Sequence, residues 1–169
     1  MKINQALKPA GVFVLKHFRE GEQVGEDIIS LNLVTTEGKD YMSDTFLNNA
    51  AIAQTSWYLA LYGNNLSPAE TDTAATVASR LGELAVEIQE TNRPGWTANA
   101  GNTGASSSNS DAPGVFTMVA NDDIYGAYLI SSNVKSGTQG VLLAVSKFGT
   151  SRTVELADVL QLTYEIRLT

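Results

Sequence analysis

The clearest alternation of apolar and polar positions lies at residues 159–168, where Leu160, Leu162, Tyr164, Ile166 and Leu168 interleave with Gln161, Thr163, Glu165 and Arg167. Side chains of an extended strand point alternately to its two faces, so this stretch predicts a strand with one buried face and one wet face. Such a strand belongs in an antiparallel sheet or sandwich, because parallel sheets are covered on both sides and read as continuous apolar runs. Its place at the end of the sequence requires that earlier strands be ready to receive it.

Residues 12–18 read as a strand rich in β-branched and aromatic side chains. Turn chemistry at 20–25 reverses it into a strand over 28–34, giving a first hairpin. A break at 35–40 leads to a short helix over 44–52 with Ser43 as its N-cap. Residues 56–62 return to strand periodicity with both faces largely apolar, which suits a central strand. The stretch 72–81 contains a second candidate short helix, while 84–88 fits either a strand or a helix whose exposed side carries Glu83, Glu87 and Glu90. Residues 91–114 read as a long loop with a Ser/Asn-rich centre, and loops of that length are usually functional or mobile. Strands at 115–120, 124–130, 141–145 and 153–156 follow, separated by turns at 121–123, 131–140 and 147–151. Roughly eight or nine short strands predict a mainly β fold, an antiparallel β-sandwich or jelly-roll-like single domain with one or two short helices. The domain spans 11–169, behind a polar N-terminal arm at 1–10.

Composition changes this picture in four ways. Charged residues make up only 17% of the 169, so much of the surface is uncharged Ser, Thr, Asn and Gly, as suits a protein held in an assembly, although an ordinary monomer fits too. A net charge of −7 with no Lys/Arg cluster argues against a nucleic-acid partner, which needs a basic footprint. No stretch approaches the ~20 apolar residues of a spanning helix, which argues against a membrane. There is no cysteine, hence no disulfide, thiolate zinc site or cysteine nucleophile.

Candidate chemistry is sparse. The single histidine, His17, reads as a partly exposed strand residue, and alone it supplies neither a nucleophile's base nor a His-rich metal site. Asp122 and Asp123 read as a turn, since adjacent side chains of an extended chain point apart, with calcium as the alternative there and at Glu70 and Asp72. Glu83, Glu87 and Glu90 read as a solvated charge row. Trp57, Tyr58, Tyr62, Tyr125 and Tyr128 read as core or interface residues in preference to a sugar-binding platform. Trp96 stands apart because it follows Pro94 and Gly95 in a loop, where a tryptophan can anchor the chain or form a contact hot spot. With Arg93 and Asn109 of the same loop and Lys2 and Lys8 of the arm, it completes the candidate contact residues. No catalytic residue, cofactor or metal ligand is assigned.

Several segments carry a family resemblance. Asn32-Leu-Val-Thr-Thr-Glu-Gly-Lys-Asp-Tyr-Met42, Thr55-Ser-Trp-Tyr-Leu-Ala-Leu-Tyr62 and Arg93-Pro-Gly-Trp-Thr97 come first. Gly114-Val-Phe-Thr-Met118, Ile124-Tyr-Gly-Ala-Tyr-Leu129 and Asp158-Val-Leu-Gln-Leu-Thr-Tyr-Glu-Ile166 follow in order. Together they resemble a family of small virion-associated structural proteins of tailed bacteriophages, across much of residues 28–169. The resemblance implies a non-enzymatic part of a virus particle, with a capsid decoration or cement protein on the head exterior as the leading expectation. Its partners would then be the major capsid protein or other virion proteins, with further copies of itself in the particle. The arm at 1–10 and the 98–112 segment are the parts expected to reach neighbours. A tail, neck or fibre-associated protein and a carbohydrate-binding module are the alternatives.

Overall fold

A computed structural model of the chain describes residues 9–100 and 106–168. In chain order the elements are β1 (Pro9–Arg19), β2 (Glu22–Gln23), β3 (Ile28–Leu31), β4 (Leu33–Val34), α1 (Thr36–Ser43) running into a π-helical turn (Asp44–Asn48), and β5 (Trp57–Tyr62). After these come α2 (Val77–Leu81), β6 (Gly95–Trp96), β7 (Ser106–Ser108), β8 (Gly114–Thr117), β9 (Asp122–Ile130), β10 (Leu142–Val154) and β11 (Val159–Leu168).

The strands form two antiparallel sheets, and the predicted β-sandwich is the observed fold. In the first sheet β11 pairs with β1 from Pro9 opposite Leu168 to Phe18 opposite Val159. β2 and β3 lie along the far side of β1, and β7 and β8 along the far side of β11. The second sheet runs β4-β10-β9-β5-β6. Between the sheets sit Phe13, Leu15, Leu160, Leu162 and Tyr164 from the first and Leu59, Leu61, Ile124 and Leu129 from the second. The alternation read in 159–168 is therefore real: Leu160, Leu162 and Tyr164 are fully buried, while Gln161 and Thr163 are half-buried on the outer face.

The two sheets differ in how their outer faces are covered. Ala60, Tyr62, Tyr128, Ile130 and Val145 of the second sheet pack beneath α2 and its approach, against Ala74, Val77 and Leu81. That second apolar layer explains why residues 57–62 are apolar on both faces. On the outer face of the first sheet Leu31 lies opposite Val12 and Ile29 opposite Val14, with Leu31 80% and Ile29 69% exposed.

Several elements depart from the sequence reading, each for a local reason. The first helix begins at Thr36 and not after Ser43, because Thr35 is the N-cap: its hydroxyl accepts from Gly38 N–H at 3.0 Å and donates to the Leu142 carbonyl at 2.5 Å. Gly38 lets α1 approach β10 closely, since a Cβ there would lie 2.6 Å from the Leu143 carbonyl oxygen. The strand expected over 28–34 breaks at Asn32, whose side chain accepts from Gly11 N–H at 2.6 Å and donates to the Tyr164 hydroxyl at 3.0 Å. This corner carries the chain from the first sheet to the second. Residues 84–88 form neither helix nor strand; Glu83 and Ile88 make single bridges to Tyr62 and Met118.

Asp122 and Asp123 are not a turn. They open β9 opposite Val154 and Thr153, with the Thr153 hydroxyl donating to Asp123 Oδ1 at 2.5 Å. The turn expected at 147–151 is a bulge inside β10, where five steps from Lys147 to Arg152 pass two steps on β9 from Gly126 to Ile124. The long loop expected at 91–114 holds β6, β7 and the start of β8. Of the N-terminal arm, residues 9 and 10 belong to β1, and residues 1–8, with Lys2 and Lys8, lie outside the described residues.

Candidate contact surface

The cross-strand pair of β5 and β6 sets Trp57 opposite Trp96 at one end of the sandwich. Both are half-buried and pack against the inter-sheet core. α1 and its π-helical turn lean over them, so that Tyr41, Met42, Phe46, Trp57, Trp96 and Ile166 line a groove of about 440 Å³. The Tyr41 ring meets Trp57 edge-on at 5.7 Å and 72°, and Trp96 meets Tyr164 at 6.4 Å and 61°. Among the described residues no charged side chain lines the groove; Thr45, Gln54, Ser106 and Ser107 are among its polar members. Beside it the chain exposes three large apolar side chains within seven residues, Phe46 at 78%, Leu47 at 82% and Ile52 at 88%.

Trp96, read from the sequence as a loop anchor or a contact hot spot, lies in β6 and has two sets of neighbours. One edge of the ring lines the groove, while the indole N–H donates to the Tyr164 carbonyl of β11 at 2.9 Å. Asn109 completes that join from inside. It is fully buried between β7 and β8, accepting from the Tyr164 N–H at 2.8 Å and donating to the Leu162 carbonyl at 3.4 Å. Its amide stands in for the missing rung between two short edge strands. Replacing Asn109 by Ala removes the acceptor of a buried N–H, and the expected loss is about 1–3 kcal/mol in the unfolding free energy measured by urea denaturation.

Arg93 is likewise inside, at 3% exposure. Its guanidinium pairs with both carboxylate oxygens of Glu83 at 2.8 and 2.7 Å, donates to the Ser132 carbonyl at 2.9 Å and lies 5.6 Å from the centre of the Tyr128 ring. Burial pushes the Tyr128 phenol far above its ordinary range, so it stays neutral in this pocket. Arg93 and Asn109 therefore tie loops to the core and do not meet a partner across the surface. Of the candidate contact residues among those described, only Trp96 keeps an exposed edge.

Several charged groups outside the groove are also committed. His17 is 2% exposed, on the inner face shared by Phe13 and Leu15, and not partly exposed as its polarity suggested. Its Nε2 lies 2.7 Å from Asp158 Oδ2. Asp158 also accepts from Arg19 Nε and Nη2, each at 2.8 Å, and from the Glu155 N–H at 2.7 Å. The Arg19 guanidinium leads the effects that hold the Asp158 carboxyl well below the usual carboxylate range. A carboxylate only accepts, so His17 Nε2 carries the proton.

The expected glutamate row dissolves in the same way, for Glu83 is buried against Arg93 and Glu90 accepts from the Thr117 N–H at 3.0 Å. Asp72 pairs with Arg80, and Glu70 with Lys39 at 3.2 Å. Among the described residues no group of three or more His, Cys, Asp or Glu is placed to hold a metal ion. Tyr62 and Tyr128 are fully buried core residues, which removes them from any sugar-binding platform. No helix among the described residues is long and apolar enough to cross a membrane. No family model matches the chain, and no curated protein matches it.

Proposed function

We propose that this chain is a non-enzymatic structural protein of a tailed-bacteriophage virion, attached to the exterior of the head as a decoration or cement protein. The assignment to a phage particle rests on the sequence resemblance across much of residues 28–169. The structural observation that supports a contact role is the uncharged apolar end of the sandwich, where Phe46, Leu47 and Ile52 project beside the Trp57/Trp96 groove. Contiguous apolar surface of this kind marks an interaction site. The mechanism is mechanical. Contacts shared between neighbouring capsid subunits add binding free energy to the closed shell, and many such contacts per particle act together.

The experiment compares purified heads with and without the protein for resistance to heat and to internal DNA pressure. Complete heads should survive conditions that open the others; equal resistance refutes cementing. Copy number separates locations, with hundreds per particle expected for a head coat and a few to some tens for a tail or neck component. One observation favours a carbohydrate-binding reading, namely the half-exposed Trp57 and Trp96 in a groove. Absence of any wild-type signal on a glycan array removes that reading.

A further inference from the structure

We draw no further inference here: the strongest candidate, the open outer face of the first sheet with its exposed Ile29 and Leu31, carries nothing, because its charged groups already pair within the chain, Lys16 with Asp27 and Glu165 with Arg167, and nothing in the structure shows what covers it.

Discussion

A chain ending at Asp158, with β11 deleted, is expected to lose cooperative folding. β11 is one of the two interior strands of the first sheet, hydrogen-bonded to β1 along its whole length on one side and to β7 and β8 on the other. Leu160, Leu162 and Tyr164, each fully buried, leave the core with it. At about 1.5–3 kcal/mol per buried large side chain, these three account for roughly 5 kcal/mol or more, comparable to the whole stability of many domains. Phe13 and Leu15 would lose their neighbours, and β1, still paired with β2 and β3 on its far side, would become an exposed sheet edge, so aggregation is the expected fate of the product. Circular dichroism and a thermal melt of the 1–158 chain check this directly. A soluble fragment with a sharp transition would mean that the sheet does not need β11.

That central strand was also the most legible part of the sequence, and the reason is physical. Alternation is a local property, and β11, β9 and β5 each lie flat in a sheet whose faces differ, or do not differ, in burial along their whole length. Trp57, Leu59 and Leu61 turn to the core while Ala60 and Tyr62 meet α2, so two apolar faces meant a central strand. Where an element is set by its neighbours, local pattern failed. Thr35 caps α1 because β10 lies against Gly38, a contact from over a hundred residues away. Asp122 and Asp123 look like turn residues, yet Thr153 across the ladder satisfies one of them and keeps the strand running. Lys147 to Arg152 contains Gly149 and small polar residues that suggest a turn, but the strand absorbs the extra length as a bulge.

The candidate surface was legible chiefly through Trp96. The groove brings together α1, the π-helical turn, β5, β6, β7 and β11, and no spacing rule in the sequence joins those segments. A signal was nevertheless present in the two charge-free runs at 45–69 and 94–110, which supply Phe46, Trp57, Trp96 and other members of the groove's lining. Arg93 and Asn109 were read as surface groups because polar loop residues usually are. They are inside because each satisfies backbone or carboxylate groups that two irregular loops leave unpaired. His17 could have been placed from alternation alone, since it shares the parity of Phe13 and Leu15 in β1.

The largest single-residue effect is expected at Asp158. Its carboxylate holds His17, Arg19 and the Glu155 N–H together in the turn that feeds β11, where Ala157 sits at φ +70°, a left-handed conformation that a non-glycine residue adopts at a price in strain. Asp158→Ala removes all these acceptors at once. Breaking a buried pair by removing one partner costs about 3–5 kcal/mol, and the lower end is expected because Arg19 is half-exposed and can turn to water while buried His17 cannot. The pH dependence follows from the direction of the Asp158 shift. Its folded carboxyl is held below the ordinary value of 3.8, so the folded state binds fewer protons than the unfolded chain in that region. The stabilisation is thus complete above that value and is lost as pH falls below it toward the folded value. Urea denaturation of wild type and Asp158→Ala, from neutral pH down to about pH 2, should show two curves about 3 kcal/mol apart at neutrality that converge in acid. Asp158→Asn, which keeps the shape but not the charge, should follow the Ala variant's flatter acid limb. Parallel curves for wild type and both variants would mean that the Asp158 charge contributes nothing to the fold, and that the turn into β11 is held by Met118 and its backbone bonds to Ala157 and Asp158 alone.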